Sequence, residues 1–422
     1  MTDERKGFLK ALGPGLLFAG AAVGVSHLVQ STRAGAVYGL SMASLVVAAN
    51  LFKYPAFSFA PRYAAATGRS LLEAYRRQGR WALVLYAAVT VGTMFAVQGA
   101  VTLVTAGLAQ ALFGDFMGPL GYSVAITAFA AFVTVYGGFR ALDKAMKGIV
   151  AVLTVSTLAA TAIVLPRIEW GAASLWPPAT LSREDVFFVA ALVGWMPTAL
   201  DIGVWHSLWT LARRQETGHA PTLREVKIDF DIGYVGTAVL ALCFVALGAG
   251  VMHGAGVEIA ASPAGFANQV IALYTACLGE WSRPMIATAA FGVMLSTVLT
   301  VIDGFPRALA ALSQRVRGPE PAGGDPEATR GRAYAVALVI VSAGSLALVG
   351  AFAGGLKALV DLATTLSFLT APLFAVLNHL AMRSPWMPVE SRPGAAMMAF
   401  SAVGIVFQAA FAAWYVWLRF GG

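Results

Sequence analysis

Two short interruptions carry most of the chemistry available to this sequence: Ala21-Ala22-Val23-Gly24-Val25-Ser26-His27 and Ala191-Leu192-Val193-Gly194-Trp195-Met196-Pro197-Thr198. Each sits inside a long apolar run, and they share an Ala-X-Val-Gly core. A break in an apolar helix frees backbone amides and carbonyls, which at membrane depth need partners or a cavity. Corresponding breaks in two halves of a chain point to a carrier whose half-helices build a site at the bilayer midplane. Gly24, Ser26, His27, Gly194, Met196 and Thr198 are therefore candidate substrate contacts. The plain alternative is a pair of chance kinks, because glycine and proline are common in membrane helices.

Charges buried in apolar runs are the second set of candidates, since they are expensive in lipid. Lys53 lies about twelve residues into its run, roughly 18 Å deep at 1.5 Å per residue, too deep to snorkel out. It reads as half of a buried lysine–acid pair, as a group on ground where other carriers place a cation, or as a counter-charge for an anionic solute group. Asp201 follows Met196 by five residues, just beyond the second break. Asp303, Arg33 and Gln30 are further polar residues inside runs, and Asp361, Thr364, Thr365 and Ser367 are expected to border a central cavity or to pack helices. His27, which titrates near neutrality when unperturbed, is a candidate proton-linked group. Asp229 and Asp231, beside Lys227, read as an interfacial cluster. For a metal, His27, Met196 and Asp201 are the most plausible donors.

The elements that position these residues are membrane spans. Of 422 residues 58% are hydrophobic and 12% charged, about half the charge of a soluble domain. Apolar runs near the spanning length lie at 13–39, 41–61, 82–112, 119–137 and 147–165, then at 186–212, 230–252, 284–312, 333–352, 356–381 and 395–419. The fold class is thus an all-α integral membrane protein of about eleven transmembrane helices, with a lipid bilayer as its partner. The stretch 259–279 is expected to be an interfacial helix, and the N-terminal run reads as a span rather than a cleaved signal. Trp281 and Trp386 read as interfacial anchors, and Trp195 as a residue that shapes the cavity.

The net charge of +8 does not point to nucleic acid, because the bases sit in short clusters between runs. They fall in alternate connections: Arg5, Lys6 and Lys10; Arg69, Arg76, Arg77 and Arg80; Arg140, Lys144 and Lys147; Arg213, Arg214, Arg224 and Lys227; Arg315, Arg317, Arg330 and Arg332. The positive-inside bias places the N-terminus in the cytoplasm and, with an odd span number, the C-terminus outside a cell (inner) membrane. Cys243 and Cys277 read as ordinary buried thiols.

The breaks and their surroundings resemble the Nramp family of divalent-metal transporters. Gly13-Pro14 and Ala34-Gly35-Ala36-Val37-Tyr38-Gly39 bracket the first span at the family spacing. Asn50-Leu51, Arg62 and Ala66-Thr67-Gly68 match the second span, and Met196-Pro197 matches the sixth. The resemblance implies a leucine-transporter-like inverted repeat of five plus five spans with broken first and sixth helices. That divides the chain into a cytoplasmic segment 1–12, repeats at 13–165 and 186–381, and an eleventh span at 395–419. It also implies a divalent cation as substrate, and no cofactor.

The chain departs from that family where the metal would bind. The family's Asp-Pro-Gly-Asn reads Gly24-Val25-Ser26-His27 here, so Gly24 replaces the aspartate and His27 the asparagine. The histidine after Met-Pro becomes Thr198, and the acidic third-span positions fall on Thr93 and Ala96. The family's basic residue in the ninth span has no counterpart within 333–352. A divalent ion desolvated without a neutralising ligand is very unfavourable. The expected function is a carrier working by alternating access, most simply a non-standard or proton-uncoupled divalent-cation carrier. A carrier of a small organic solute, its carboxylate meeting Lys53 or Arg33, and a non-transporting receptor-like homologue remain alternatives. No cluster of catalytic spacing argues for an enzyme.

Overall fold

The computed structural model describes residue 7 and residues 10–136, 139–171, 173–253, 260–324, 331–352 and 355–420; over 139–147 and at 149 it describes the backbone alone. Arg5, Lys6 and Arg330 of the charge pattern lie outside the described residues, as do most of segment 1–12 and the side chains of Arg140, Lys144 and Lys147.

The first span is two helices, α1 (Pro14–Ala22) and α2 (Thr32–Tyr38), joined through a π-helical turn at Ser26–Ser31. The two parts meet at 44°. The second span is α3 (Ala43–Thr67), followed by the short α4 (Leu71–Gln78). Spans three to five are α5 (Arg80–Phe113), α6 (Gly118–Tyr136) and α7 (Phe139–Val164). The sixth span is split into α8 (Arg183–Gly194) and α9 (Ile202–Thr217), and the seventh is α10 (Leu223–Val251). A helix α11 (Pro263–Leu278) precedes the eighth span, α12 (Arg283–Arg317), where an interfacial helix was expected. The last three spans are α13 (Arg332–Ala351), α14 (Leu356–Arg383) and α15 (Ala395–Phe420).

By length and apolar composition eight of the described helices can cross a membrane, and the bent first span makes a ninth. The remaining two of the eleven are the ones that carry polar cargo: α3, with Lys53, Pro55 and Pro61, and the broken α8–α9. Local sequence sets their ends. Ser182 accepts from the Asp185 amide while the Asp185 carboxylate accepts from the Ser182 amide, and Thr222 and Glu225 repeat this reciprocal cap at α10. α6, α13 and α15 turn valines and aromatics such as Phe132, Val339 and Val406 outward, as lipid-facing helices do.

Span seven grips both halves of the broken first span at glycine contacts. A Cβ on Gly15 would stand 2.0 Å from the Asp229 carbonyl oxygen, and one on Gly35 2.0 Å from that of Val245. Small residues let the backbones approach this closely. Asp229 departs from the interfacial reading: it is buried, and its carboxylate accepts from the Gly13 and Gly15 amides at 3.0 and 2.6 Å, capping the positive end of α1. Asp231 behaves as expected, pairing with Lys227 and accepting from the Tyr54 hydroxyl.

Candidate functional site

The first break is closed by neutral groups. The Ser26 hydroxyl lies 2.8 Å from the Ala22 carbonyl, 2.7 Å from His27 Nδ1 and 3.2 Å from the Pro197 carbonyl of the other break. The His27 Nε2–H donates to the Thr237 carbonyl of α10 at 2.9 Å, which fixes the proton on Nε2 because a carbonyl only accepts. On α12 the Thr297 hydroxyl stands 3.0 Å from the Gly20 carbonyl and 3.4 Å from that of Val23. Gly24 faces that same threonine: a Cβ there would sit 3.0 Å from its hydroxyl oxygen. The first break therefore uses only hydroxyls and one imidazole.

The second break is closed by a charge. Lys53 Nζ reaches from α3 to donate to the carbonyls of Val193 and Gly194 at 2.6 and 2.8 Å, at the negative end of α8. Lys53 is 1% exposed. A lysine–acid pair is thus not what the structure holds; the partners are main-chain oxygens. Across the break, Asp201 precedes α9 and is 3% exposed, yet its Oδ1 has no hydrogen-bond partner and no cation pairs with it among the described residues.

Between the breaks is a cavity of about 20 Å³, room for a single water-sized particle. Its polar lining is Ser26, Thr198, Asp201 and Thr297; Ala22, Val97, Trp195, Trp205 and other apolar groups supply the rest. Of the sequence candidates, Ser26, Thr198 and Asp201 are brought together here. His27, Met196, Lys53, Gly24 and Gly194 do not line it. His27 is turned to α10, and Met196 is buried with its sulfur 3.9 Å from the Ser31 hydroxyl. The expected metal set of His27, Met196 and Asp201 is consequently not assembled, and no group of three His, Cys, Asp or Glu side chains suited to a metal occurs among the described residues.

Both ends of the cavity are shut. Toward the Tyr38 end, Arg33 donates to Asp361 at 2.8 Å and to Gln30 at 2.9 Å, and its guanidinium lies 5.0 Å from the Phe188 ring centre. Trp195 Nε1 donates to Ser367 at 2.6 Å, and the Tyr38 hydroxyl donates to Asp185 at 2.6 Å. Asp361 and Ser367 thus serve closure, and neither they nor Thr364 line the cavity. Toward the Pro14 end, Phe18 packs on Phe57, Phe230 and Tyr234 with ring centres 5.3–5.8 Å apart. His206 joins that plug, and neither of its ring nitrogens has a partner among the described residues. Asp303 is held by Arg307 at 2.8 Å and receives the Tyr334 hydroxyl at 3.0 Å.

Sequence reasoning missed Thr297, Trp205 and His206. Thr297 carries no signal because a threonine in a span is ordinary. Trp205 and His206 lie four and five residues past Asp201, the first on the cavity side of α9 and the second behind it, and that phase was available from helical periodicity.

Comparison with known proteins places this geometry. The model for the Nramp family, natural resistance-associated macrophage protein-like, matches residues 15–418. An uncharacterised protein of Pasteurella multocida (strain Pm70) is 32% identical over 410 residues, covering 95% of this chain and 90% of that one. Among solved structures, the manganese transporter of Eremococcus coleocola with an aromatic bis-isothiourea compound superposes with a TM-score of 0.70 at 15% identity, over 98% of this chain and 87% of that one. MhsT in complex with L-phenylalanine does so with a TM-score of 0.66 at 13% identity, over 99% and 98%. The fold is therefore the leucine-transporter fold with broken first and sixth spans, and the chain is a multi-pass membrane protein that belongs to the Nramp family.

Proposed function

We propose that this chain is a carrier that moves a small cation by alternating access, with Asp201 as the counter-charge. The observation that supports this reading is the Asp201 carboxylate: it is buried at the cavity between the two breaks, and one of its oxygens has no partner. A buried carboxylate that has backbone amides but no counter-charge is unfavourable as an anion, so the site favours positive charge. The other polar groups at the cavity are the hydroxyls of Ser26, Thr198 and Thr297. An all-oxygen set suits hard cations better than soft ones, and the thioether and imidazole that would favour softer metals face elsewhere. The manganese transporters of like fold support a metal as the cargo, taken here as substrate.

In this reading the closed state lies midway in the cycle. Separation of Arg33 from Asp361 opens the Tyr38 end; a cation enters and neutralises Asp201; displacement of α1, with its Phe18 plug, then opens the Pro14 end. The base-rich connections support a cell (inner) membrane with the Pro14 end cytoplasmic and the C-terminus outside. Repeats at 13–165 and 186–381 supply the two halves that move. No catalytic chemistry is proposed.

A second reading is a small organic ammonium ion, favoured by the Trp195 and Trp205 rings in the cavity wall, since indole faces attract cations. A carboxylate-bearing solute fits less well, because Lys53 and Arg33 are both engaged elsewhere. Proteoliposome flux with Mg²⁺, Mn²⁺, Ca²⁺, Na⁺ and methylammonium, with internal pH recorded, tests the proposal. Uptake of one of these that is lost in Asp201→Asn is the expected result. No flux of any cation, or uptake insensitive to Asp201→Asn, overturns it.

A further inference from the structure

Lys53 invites a separate reading. Its ammonium is fully buried and meets two consecutive main-chain oxygens at 2.6 and 2.8 Å. Those oxygens end a twelve-residue half-helix exactly where the sixth span breaks, so the helix dipole and the freed carbonyls present negative potential together. Carbonyls of this kind, at half-helix C-terminal ends beside an unwound segment, are what a carrier of this architecture offers to a coupling cation. Gly194 holds the arrangement in place, since a Cβ there would stand 2.3 Å from the Thr364 carbonyl oxygen and push the break away from α14. Among the described residues no acid pairs with Lys53.

We propose that the Lys53 ammonium is a resident cation, permanently filling at the sixth-span break a carbonyl site that would otherwise take a mobile monovalent cation. The carrier then needs no Na⁺ or K⁺ at this position, and the break is held in one geometry through the cycle. Removing the side chain uncovers a monovalent-cation site. This inference does not rest on Asp201 being the cargo site, and its readout is stability rather than flux, so the two readings fail separately.

The test compares wild type, Lys53→Ala and Lys53→Met in NaCl, KCl, propylammonium chloride and choline chloride at equal ionic strength. The readout is the monodisperse fraction of a fluorescent fusion after heating, taken in crude detergent extracts so that a poorly folding variant is still measured. Wild type should melt at one temperature in all four salts. Lys53→Ala should melt roughly 5–10 °C lower in choline and recover at least half of that in NaCl or KCl. Propylammonium, which replaces the deleted Cγ to Nζ atoms, should restore it further. Lys53→Met fills the space without charge and should stay low in every salt. Lys53→Ala that is as stable as wild type in choline, or that neither Na⁺ nor K⁺ recovers, overturns the proposal. So does Lys53→Met that matches wild type.

Discussion

The two breaks solve one problem in opposite ways. Each interrupts a span and strands backbone groups at membrane depth, where water is not at hand. At the first, Ser26, His27 and Thr297 meet the carbonyls of Ala22, Thr237 and Gly20 through neutral hydrogen bonds. At the second, a lysine from another span holds the end of α8 while an aspartate at the head of α9 keeps an unpartnered oxygen. The difference teaches where charge chemistry has gone. The first break, where the family resemblance implies a carboxylate, is now a joint; the second carries a lysine on one side and a carboxylate without a counter-charge on the other.

The largest test of that contrast is Asp201→Asn. If charge has moved to the second break, neutralising it lowers cation flux by roughly tenfold or more, equivalent to about 1.4 kcal/mol of lost binding. The same change relieves an uncompensated buried anion, so the melting temperature should rise while flux falls. Flux measured beside thermal unfolding checks both; a variant that loses stability and keeps flux would remove Asp201 from the site. The next effect is a pair of glycine changes. In Gly194→Ala the new Cβ meets a main-chain oxygen of α14 at 2.3 Å, which a backbone must move to relieve, at about 1–3 kcal/mol. In Gly24→Ala the nearest atoms are the hydroxyl and methyl of Thr297 at 3.0 and 3.1 Å, side-chain atoms that must give only a few tenths of an ångström, so the loss should be smaller. Equal or reversed losses of melting temperature would break the comparison.

How much of this the sequence makes legible follows from what leaves a chemical mark on it. The breaks are legible because Gly24 and Met196-Pro197 interrupt apolar runs, and the eleven spans because lipid demands such runs. Asp201 stands out as an acid inside one. The partners of Lys53 are not legible: Val193 and Gly194 contribute carbonyls, which every residue has, so a lysine–acid pair was the natural expectation. His27 misleads for a related reason. Its type suggests a proton carrier facing the cavity, whereas a π-helical turn at Ser26–Ser31 rotates it onto α10. Asp229 misleads because two glycine amides, invisible in a sequence, draw it inward.

A smaller effect separates closure from binding. Arg33–Asp361 joins a nearly buried guanidinium to a carboxylate whose side chain is 33% exposed, so screening limits the pair to about 1 kcal/mol. Asp361→Asn should therefore loosen the Tyr38 end without emptying the site. In protein lacking Cys243 and Cys277, maleimide labelling of Thr364→Cys should rise about fivefold on adding Asp361→Asn, as 1 kcal/mol implies, with flux changed far less than by Asp201→Asn. Unchanged labelling would assign the closure to the Trp195–Ser367 contact instead.

The smallest functional effect belongs to His27, and it is the one that most sharpens the contrast. A histidine in the unwound segment invites the reading of a proton-linked group, and Nδ1 and Nε2 are indeed both engaged. Their partners argue for a brace. Nε2 donates to a carbonyl that never releases a proton, and Nδ1, left an acceptor, takes the single Ser26 hydroxyl proton in competition with the Ala22 and Pro197 carbonyls. A proton relay would need one nitrogen free to exchange, and His27 is 0% exposed. His27→Gln keeps an N–H donor for the Thr237 carbonyl and forfeits the bond to Ser26, a loss of about 1 kcal/mol in unfolding experiments. The pH profile of flux should superimpose on that of wild type after scaling, because no titrating step has been removed. A profile that flattens or shifts would return proton chemistry to the first break and undo the division of labour between the two.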